Sequence, residues 1–508
     1  MVIVFALVAL TVLVTANWYL WRRLFRDTTR GPGWARRGGA ALIAGGWVLA
    51  VGALVAERAG APFLLQQVLA WPGFLWLALS VYLLLGVVVG EAVRPLLRRF
   101  LERRARAAAP AGTSVAGPRP DPVPVGAPAP ERSGSGQNPA PGTPGTGTPG
   151  PGTPGPGESG PGESGQRKPG RGKPEPEESG PGRPGPEQSD PRQQASGQQT
   201  SGRSGSGRSG SGRSASAAPG AEPGAGRPGS GAPSPSRRLF VSRVAAGAAA
   251  AAATGTVGYG TYGVLRGPRV KRVTVPLAKL PRAAHGYRIA VVSDIHLGPV
   301  LGRGFAQKVV DTINATQPDL IAVVGDLVDG SVKDLGAAAA PLSQLRARHG
   351  SYFVTGNHEY FSGAASWVEE VRRLGLTPLE NARTELAWFD LAGVNDIAGE
   401  SEGQGPDFAR ALGGRDTARA CVLLAHQPVQ IHDAMRHGVD LQLSGHTHGG
   451  QLWPGNFVAA AANPTVAGLE RHGDTQLYVS RGAGAWGPPT RVGAPSDITV
   501  VELASRHA

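Results

Sequence analysis

The sequence predicts an α/β domain over residues 269–508, preceded by a membrane region and a long linker. Three observations support this division. Composition changes abruptly along the 508 residues, so no single description fits the whole chain. After residue 269, short apolar runs bounded by turn residues alternate with helical repeats, which is typical of α/β layers. Five of the predicted strands end in Asp, Asn or His, at the edge where open α/β sheets bind ligands.

Residues 1–110 are predicted to be a membrane region. Val2–Leu20 runs without a charged residue and is long enough to cross about 30 Å of hydrocarbon. Further apolar runs cover 40–56 and 69–89. A signal peptide is the alternative for the first run, but no basic residue precedes it and more apolar runs follow. We therefore expect three transmembrane helices, at about 2–20, 40–56 and 69–89.

Residues 111–236 are predicted to be a disordered linker. Gly, Pro and Ser make up more than half of this stretch, which contains no Leu, Ile, Met, Phe, Tyr or Trp. Without large apolar side chains it has no means of building a core. Repeats such as Gly-Thr-Pro-Gly also mark it as low-complexity sequence.

Residues 237–265 are predicted to be a fourth membrane segment. Arg237 and Arg238 precede 244–264, an Ala/Gly-rich run free of charge. This pattern resembles a twin-arginine export signal, and a membrane helix with ordinary basic flanks is the alternative. Arginine clusters at 22–37, 98–106 and 237–243 all lie on one side if four spans alternate across the membrane. We therefore expect a multi-pass protein of the cell membrane with residues 269–508 on the extracytoplasmic side.

The charge of the chain reflects this membrane topology. The net charge of +14 suggests a nucleic-acid partner at first sight. Residues 269–508, however, carry 22 Lys and Arg against 23 Asp and Glu, so the basic excess lies entirely before them. A nearly neutral domain excludes broad binding to a phosphate backbone. The single cysteine excludes an intramolecular disulfide and any zinc site built from several thiolates.

Polar side chains follow five strands of the predicted domain. The strand ends carry Ser293-Asp294-Ile295-His296, Gly325-Asp326-Leu327-Val328-Asp329, Gly356-Asn357-His358-Glu359, Ala425-His426 and Gly445-His446-Thr447-His448. Carboxylate, amide and imidazole donors together suit Mn, Fe, Zn or Ni better than Ca²⁺. Seven candidate ligands are too many for one tetrahedral ion and fit two ions that share a bridge. The sequence therefore predicts two divalent metal ions of unknown identity at this edge.

These blocks, in this order, resemble those of the calcineurin-like metallophosphoesterases. The Gly445–Gln451 and Trp486–Arg491 segments are similar to the bacterial membrane-associated or exported subgroup. The resemblance implies a sandwich of two β-sheets flanked by helices. It also implies that Asp294, His296 and His448 hold one metal, that Asn357, His426 and His446 hold the other, and that Asp326 bridges them. His358 would act on the substrate as the catalytic residue, and Asp329 would orient His358 or a ligand.

The function expected from this resemblance is that of a membrane-tethered phosphoesterase. It would hydrolyse phosphodiester, pyrophosphate or phosphomonoester bonds by attack of a hydroxide held between two metals, with a lipid-linked or nucleotide substrate. The alternative is a non-catalytic membrane interaction protein built on the same domain. Arg481 and Arg491 are candidates for contact with substrate phosphate, with surface salt bridging as the alternative. The apolar segment Trp453–Leu469 is expected to be either a core edge or a surface for a lipid-like substrate.

Overall fold

The computed structural model describes residues 2–107 and 237–506. The predicted linker, 111–236, lies outside the described residues. Four long helices precede a two-sheet domain. They are α1 (Val2–Trp21), α2 (Trp34–Arg58), α3 (Phe63–Ala107) and α4 (Arg237–Leu265).

Among the described residues, three helical segments are long and apolar enough to cross a membrane. They are Trp34–Arg58, Phe63–Arg104 and Arg238–Leu265. Each extends beyond the apolar run that the sequence shows, because the flanking polar residues continue the helix. The helices pack through small residues: a Cβ at Gly46 would overlap Trp76, and one at Gly73 would lie 2.6 Å from the Leu49 oxygen. Such close helix contacts are typical of membrane bundles.

The basic segments between the helices meet at one end of the bundle. Trp21 Nε1 donates to the Arg36 oxygen at 3.0 Å, and Arg23 pairs with Glu91 at 2.8 Å. Arg243 Nε donates to the Thr28 oxygen at 3.0 Å. The other end of the bundle carries the end of α2, the start of α3 and the end of α4. Basic residues of α2, of α4 and of the segment between α1 and α2 therefore lie close together at one end of the bundle.

The domain after α4 contains twelve strands in two sheets of six. One sheet has the order β1-β12-β2-β3-β4-β5 and the other the order β10-β11-β9-β8-β7-β6. The strands are β1 (Arg269–Leu277), β2 (Tyr287–Val292), β3 (Leu320–Val324), β4 (Ser351–Val354), β5 (Thr377–Pro378), β6 (Ala382–Glu385), β7 (Phe389–Gly393), β8 (Ala420–Leu424), β9 (Leu441–Ser444), β10 (Gly468–His472), β11 (Thr475–Val479) and β12 (Asp497–Ser505).

Seven shorter helices accompany these strands. They are α5 (Arg303–Ala315), α6 (Val332–Ala339), α7 (Asn357–Ser362), α8 (Ala364–Arg373), α9 (Phe408–Leu412), α10 (Ile431–Arg436) and α11 (Gly455–Ala462). Apolar side chains at helical spacing on α5, including Phe305, Val309 and Ile313, pack on one outer face of the first sheet.

The two sheets face each other across a buried apolar layer. Strands β2 to β5 are parallel in the first sheet, and β7, β8, β9 and β11 are parallel in the second. The central strands β3 and β8 are apolar at every position because both of their faces are covered. Ile289, Val324, Leu391, Leu424 and Leu443 belong to the layer between the sheets. The predicted fold, a β-sandwich flanked by helices, is confirmed.

Several elements differ from the sequence-based expectation. The sequence-based expectation includes no strand at β1, β5, β6 or β10, which are the edge strands of the two sheets. Strand β1 nevertheless carries alternating apolar residues. The sequence over 335–345 predicts a single helix, and this prediction is wrong: α6 ends at Ala339, and a 3₁₀ turn over Ala340–Gln344 follows. Pro341 lacks the amide hydrogen that a continuing α-helix needs.

The apolar segment Trp453–Leu469 is not a core edge along its first half. It forms α11, in which no residue is buried, and then reaches β10. Trp453, Phe457 and Val458 are exposed. The Trp453 oxygen accepts a hydrogen bond of 2.9 Å from Tyr82 of α3. This exposed apolar helix therefore lies beside a predicted membrane helix.

The two-sheet domain packs directly against the helix bundle. Val300 contacts a cluster of Ala53, Ala70 and Phe74. Lys308 Nζ donates to the Leu265 oxygen at the end of α4 at 2.6 Å. These contacts fix the domain on the end of the bundle that lacks the basic clusters.

Candidate metal centre

The turns after five parallel strands bring the predicted ligands together. Asp294 and His296 follow β2, Asp326 and Asp329 follow β3, and Asn357 and His358 follow β4. In the second sheet His426 follows β8, and His446 and His448 follow β9. All seven predicted ligands lie at the carboxyl ends of the two sheets. The geometry thus unites residues up to 154 positions apart in the chain, from Asp294 to His448.

The backbone at these turns is strained. Five of the seven predicted ligands have positive φ angles: Asp294 (53°), His296 (49°), Asp326 (54°), His446 (71°) and His448 (53°). Side-chain-bearing residues seldom adopt this left-handed conformation, which costs about 1–3 kcal/mol each. Backbone strain that is concentrated on one group of polar residues is typical of a functional site. Such strain persists only because the surrounding packing stabilises the strained conformation.

Asp294, His296 and His448 form one buried cluster. Their candidate ligand atoms lie within 4.8 Å of one another. His296 Nε2 is 3.0 Å from His448 Nε2, which is 3.4 Å from Asp294 Oδ1. Asp294 also accepts the backbone amide of His446 at 2.9 Å, so this carboxylate is held in place by the neighbouring turn.

Asp326, His426 and His446 form a second cluster, and Asn357 adjoins it. Asn357 Oδ1 lies 2.9 Å from His446 Nδ1. Burial and then the charge of His426 lower the pKa of His446 to about 4. A neutral imidazole is the form that binds a metal. Asp326 Oδ2 is 3.1 Å from His426 Nε2 and 3.8 Å from His296 Nε2, which places it between the two clusters.

A contact between His426 and Asp326 shows that these residues fit a cation. His426 Nδ1 is 2.9 Å from the Val324 oxygen and therefore donates a proton to it, so Nε2 is the nitrogen that is free for a metal when the ring is neutral. That atom is buried without a hydrogen-bond partner and faces the Asp326 carboxylate. Burial alone would lower the pKa of His426, but the charge of Asp326 raises it well above its usual value, because a cation is needed between these two buried donor atoms. A metal ion on Nε2 would take the place of that proton. The donor set therefore suits a divalent transition metal.

Asp329 holds two of the histidines. Its Oδ1 atom lies 2.8 Å from His296 Nδ1 and 2.7 Å from His358 Nδ1. Burial alone would raise the pKa of Asp329, but the charge of His296 and its hydrogen bond lower it to about 2. A carboxylate behind a histidine fixes the tautomer in which the other nitrogen is free to bind a metal. The contacts expected of an orienting residue are thus present for both rings.

His358 faces the cleft above the metal-ligand candidates. Its ring packs edge-on against Phe361 and Trp486, with centroids 5.6 and 5.7 Å away. Burial alone would lower the pKa of His358, but the hydrogen bond and charge of Asp329 raise it to about 9. The ring is therefore protonated near neutral pH and has a proton to give.

Glu359 ties two of the ligand-bearing turns together. This fully buried carboxylate accepts the backbone amides of Asp326 at 3.0 Å, Leu327 at 2.7 Å and Gly356 at 2.6 Å. The turn after β3 and the turn after β4 thereby share one anchor. Gly356 also approaches so closely that a Cβ there would lie 2.3 Å from Asp326 Oδ1, so only glycine fits.

The two arginines predicted near the substrate lie elsewhere. Arg491 is buried, and its guanidinium donates to the oxygens of Gly484, His448 and Ala494. It supports His448 from behind and does not face the cleft. Arg481 is half-buried and lies 4.0 Å from Asp497. Neither arginine lines the cleft that holds His358.

A cleft of about 760 Å³ opens over the centre. Besides the expected residues, it is lined by Phe361 and Trp486 from the domain and by Leu54, Glu57 and Arg58 from α2. The sequence showed Trp486 only as part of a motif. Nothing in the sequence indicates that α2 lines the cleft. Glu57 and Arg58 follow an apolar run, as charged residues commonly do at the end of a membrane helix.

Comparison with known proteins identifies the family to which this chain belongs. The family model described as "Calcineurin-like phosphoesterase" matches residues 287–450. An uncharacterized metallophosphoesterase of Aquifex aeolicus is 33% identical over 243 residues, covering 47% of this chain and 92% of that protein. The chain belongs to the calcineurin-like metallophosphoesterases.

Other relatives of this metallophosphoesterase include membrane proteins. A zebrafish "Transmembrane protein with metallophosphoesterase domain" is 39% identical over 258 residues, covering 48% of this chain and 59% of that protein. An uncharacterized metallophosphoesterase of Helicobacter pylori strain J99 is 37% identical over 251 residues, covering 49% and 67%. The matched region spans about three fifths of the zebrafish relative. Family members are phosphoric ester hydrolases.

Proposed function

We propose that this protein is a membrane-tethered, metal-dependent phosphoesterase with two metals in its active site. The observation that carries this proposal is the buried His426 Nε2 atom facing Asp326 without a hydrogen-bond partner. We assign the seven candidate ligands to two metal ions in the way that the resemblance to the family implies. Asp294, His296 and His448 would hold one ion, and Asn357, His426 and His446 the other, with Asp326 shared.

Bound divalent cations would activate water near neutral pH and offset charge on the phosphoryl oxygens. The chain's own residues would do the rest. Asp329 keeps the His358 ring in place and protonated, and His358 faces the cleft. Water would attack phosphorus opposite the leaving oxygen and release a proton to solvent, and His358 would give its proton to the leaving oxygen as the old phosphorus–oxygen bond breaks. The product phosphate or phosphomonoester then leaves through the cleft.

The full chain, purified in detergent and stripped with a chelator, should be inactive and should regain hydrolysis on addition of Mn²⁺, Fe²⁺, Zn²⁺ or Ni²⁺. The substrates are 4-nitrophenyl phosphate, bis(4-nitrophenyl) phosphate, and nucleotide-linked and lipid-linked diphosphates. These distinguish monoester, diester and pyrophosphate cleavage. Activity that survives complete chelation, or no activity on any of these substrates with any metal, would contradict the proposal.

We also propose that the catalytic domain is extracytoplasmic and that 237–265 is a twin-arginine-type segment. Support comes from the basic clusters at the far end of the bundle and from Arg237 and Arg238 at the start of α4. Protease added to intact cells should digest residues 269–508, with a cytoplasmic protein as the control. Digestion only after lysis would place the domain inside.

A further inference from the structure

The cleft over the metal centre has walls from two different parts of the chain. Its floor contains Asp326, Asn357 and His446 from the two-sheet domain. One wall is the last turn of α2, with Leu54, Glu57 and Arg58. A residue of a predicted membrane span therefore shares a cavity with the metal-ligand candidates.

Residues on both sides of the α2–α3 turn pack against the two-sheet domain, and this packing positions the last turn of α2. Ala53, one residue before Leu54, is buried in the cluster that contacts Val300. Phe63, at the start of α3, packs against the core of the two-sheet domain. Because both flanks of the turn are held, the last turn of α2 has a defined place beside the cleft.

The rim of the cleft is apolar. Leu54 is 38% exposed, Trp486 49% and Phe361 74%. All three line the cleft, and the two aromatic rings also contact His358. Large exposed apolar side chains beside a charged floor are typical of a binding site for a ligand with one polar and one apolar part.

The charges in the cleft are also unevenly distributed. Of the described residues that line it, Arg58 alone carries a fixed positive charge. Arg58 is exposed and lines the same cleft as the metal-ligand candidates, so its guanidinium is available to an anionic phosphoester there. Arginine is well suited to hold phosphate oxygens through two parallel hydrogen bonds.

We propose that the last turn of α2 is part of the active site and that the site takes a phosphoester with a long apolar chain anchored in the membrane. Arg58 contacts the phosphate oxygens, and Leu54, Phe361 and Trp486 contact the first part of the apolar chain. Since α2 is a predicted membrane span, such a chain leaves the cleft directly into the lipid. This inference rests on the proposed phosphoesterase activity and adds the class of its substrate.

The test uses two diesters with the same leaving group, methyl 4-nitrophenyl phosphate and hexadecyl 4-nitrophenyl phosphate, the latter in vesicles that hold the full-length protein. For the unaltered protein, kcat/KM should be at least about tenfold higher for the hexadecyl diester. Leu54→Asn and Trp486→Ala should lower this hexadecyl-to-methyl ratio at least about fivefold. Arg58→Ala should raise KM about tenfold for both diesters, with partial recovery in Arg58→Lys.

Matched controls come from the same helix. Val51→Asn changes an exposed apolar residue one turn before Leu54, and Arg37→Ala removes a charge at the opposite end of α2. Neither should alter the ratio or KM. Unchanged metal content and unfolding temperature would show that the variants are folded. A ratio near one for the unaltered protein, a ratio insensitive to Leu54→Asn, or hydrolysis of neither diester by a protein that cleaves other phosphoesters would overturn this inference alone. No hydrolysis of any of these substrates would overturn the proposed function.

Discussion

Asp326→Ala should abolish metal-dependent hydrolysis and reduce the metal content of the protein at both positions. Asp326 Oδ2 lies 3.1 Å from His426 Nε2 and 3.8 Å from His296 Nε2, so in the proposed two-metal arrangement its loss would remove a ligand from each ion. We expect kcat/KM to fall at least about 1000-fold, equivalent to about 4 kcal/mol of activation free energy. Elemental analysis of the purified variant and the diester assay measure the two effects separately.

Two further variants sharpen this prediction. Asp326→Asn keeps the oxygen that accepts the His358 amide but loses the negative charge, so it should behave like Asp326→Ala. His358→Ala should keep the metals and slow turnover by about 10²–10⁴-fold, because it removes only the proton donor. Asp311→Ala, at an exposed position of α5, is the control. Full metal content together with full activity in Asp326→Asn would disprove the shared-ligand role.

Glu359→Ala should be strongly destabilising and should also weaken metal binding. The substitution leaves three buried backbone amides, those of Asp326, Leu327 and Gly356, without an acceptor. An unsatisfied buried group costs about 1–3 kcal/mol, so we expect a loss of at least about 3 kcal/mol. In a domain of this size that corresponds to a fall in Tm of about 6–12 °C.

Glu369→Ala is the matched control for this prediction. Glu369 is an exposed residue of α8, and its loss should change the free energy of unfolding by no more than about 0.5 kcal/mol. Thermal unfolding of both variants, with and without added metal, distinguishes the effects. If Glu359→Ala unfolds at the same temperature as Glu369→Ala, the carboxylate does not anchor the two turns.

The candidate site was largely predictable because its residues follow buried strands. A run such as Leu320–Val324 signals a strand locally, and polar residues after it must lie at the sheet edge. The contacts of the polar residues that support the candidate ligands were harder to predict. The sequence did not reveal that Glu359 reaches Asp326, since that contact depends on how β3 and β4 pair.

No local sequence pattern indicates that the last turn of α2 lines the cleft. Leu54 and Arg58 lie more than 230 positions before Asp294 in the chain, and only the packing of the bundle on the domain brings them to the cleft. Likewise, Arg491 could not be distinguished from a surface arginine, because its burial depends on the loop around Gly484. Long-range packing, not local propensity, decided these placements.

Arg491 takes part in two contacts at once. Its backbone lies against Gly260 of α4, where a Cβ would be only 2.7 Å from the Arg491 oxygen, and its guanidinium supports His448. Arg491 therefore contributes both to the docking of the domain on α4 and to the position of His448, a metal-ligand candidate. Such coupling is reciprocal: any factor by which docking strengthens metal affinity is the factor by which bound metal strengthens docking. With metal bound, helix α4 would therefore act on the affinity of the site as well as attach the domain.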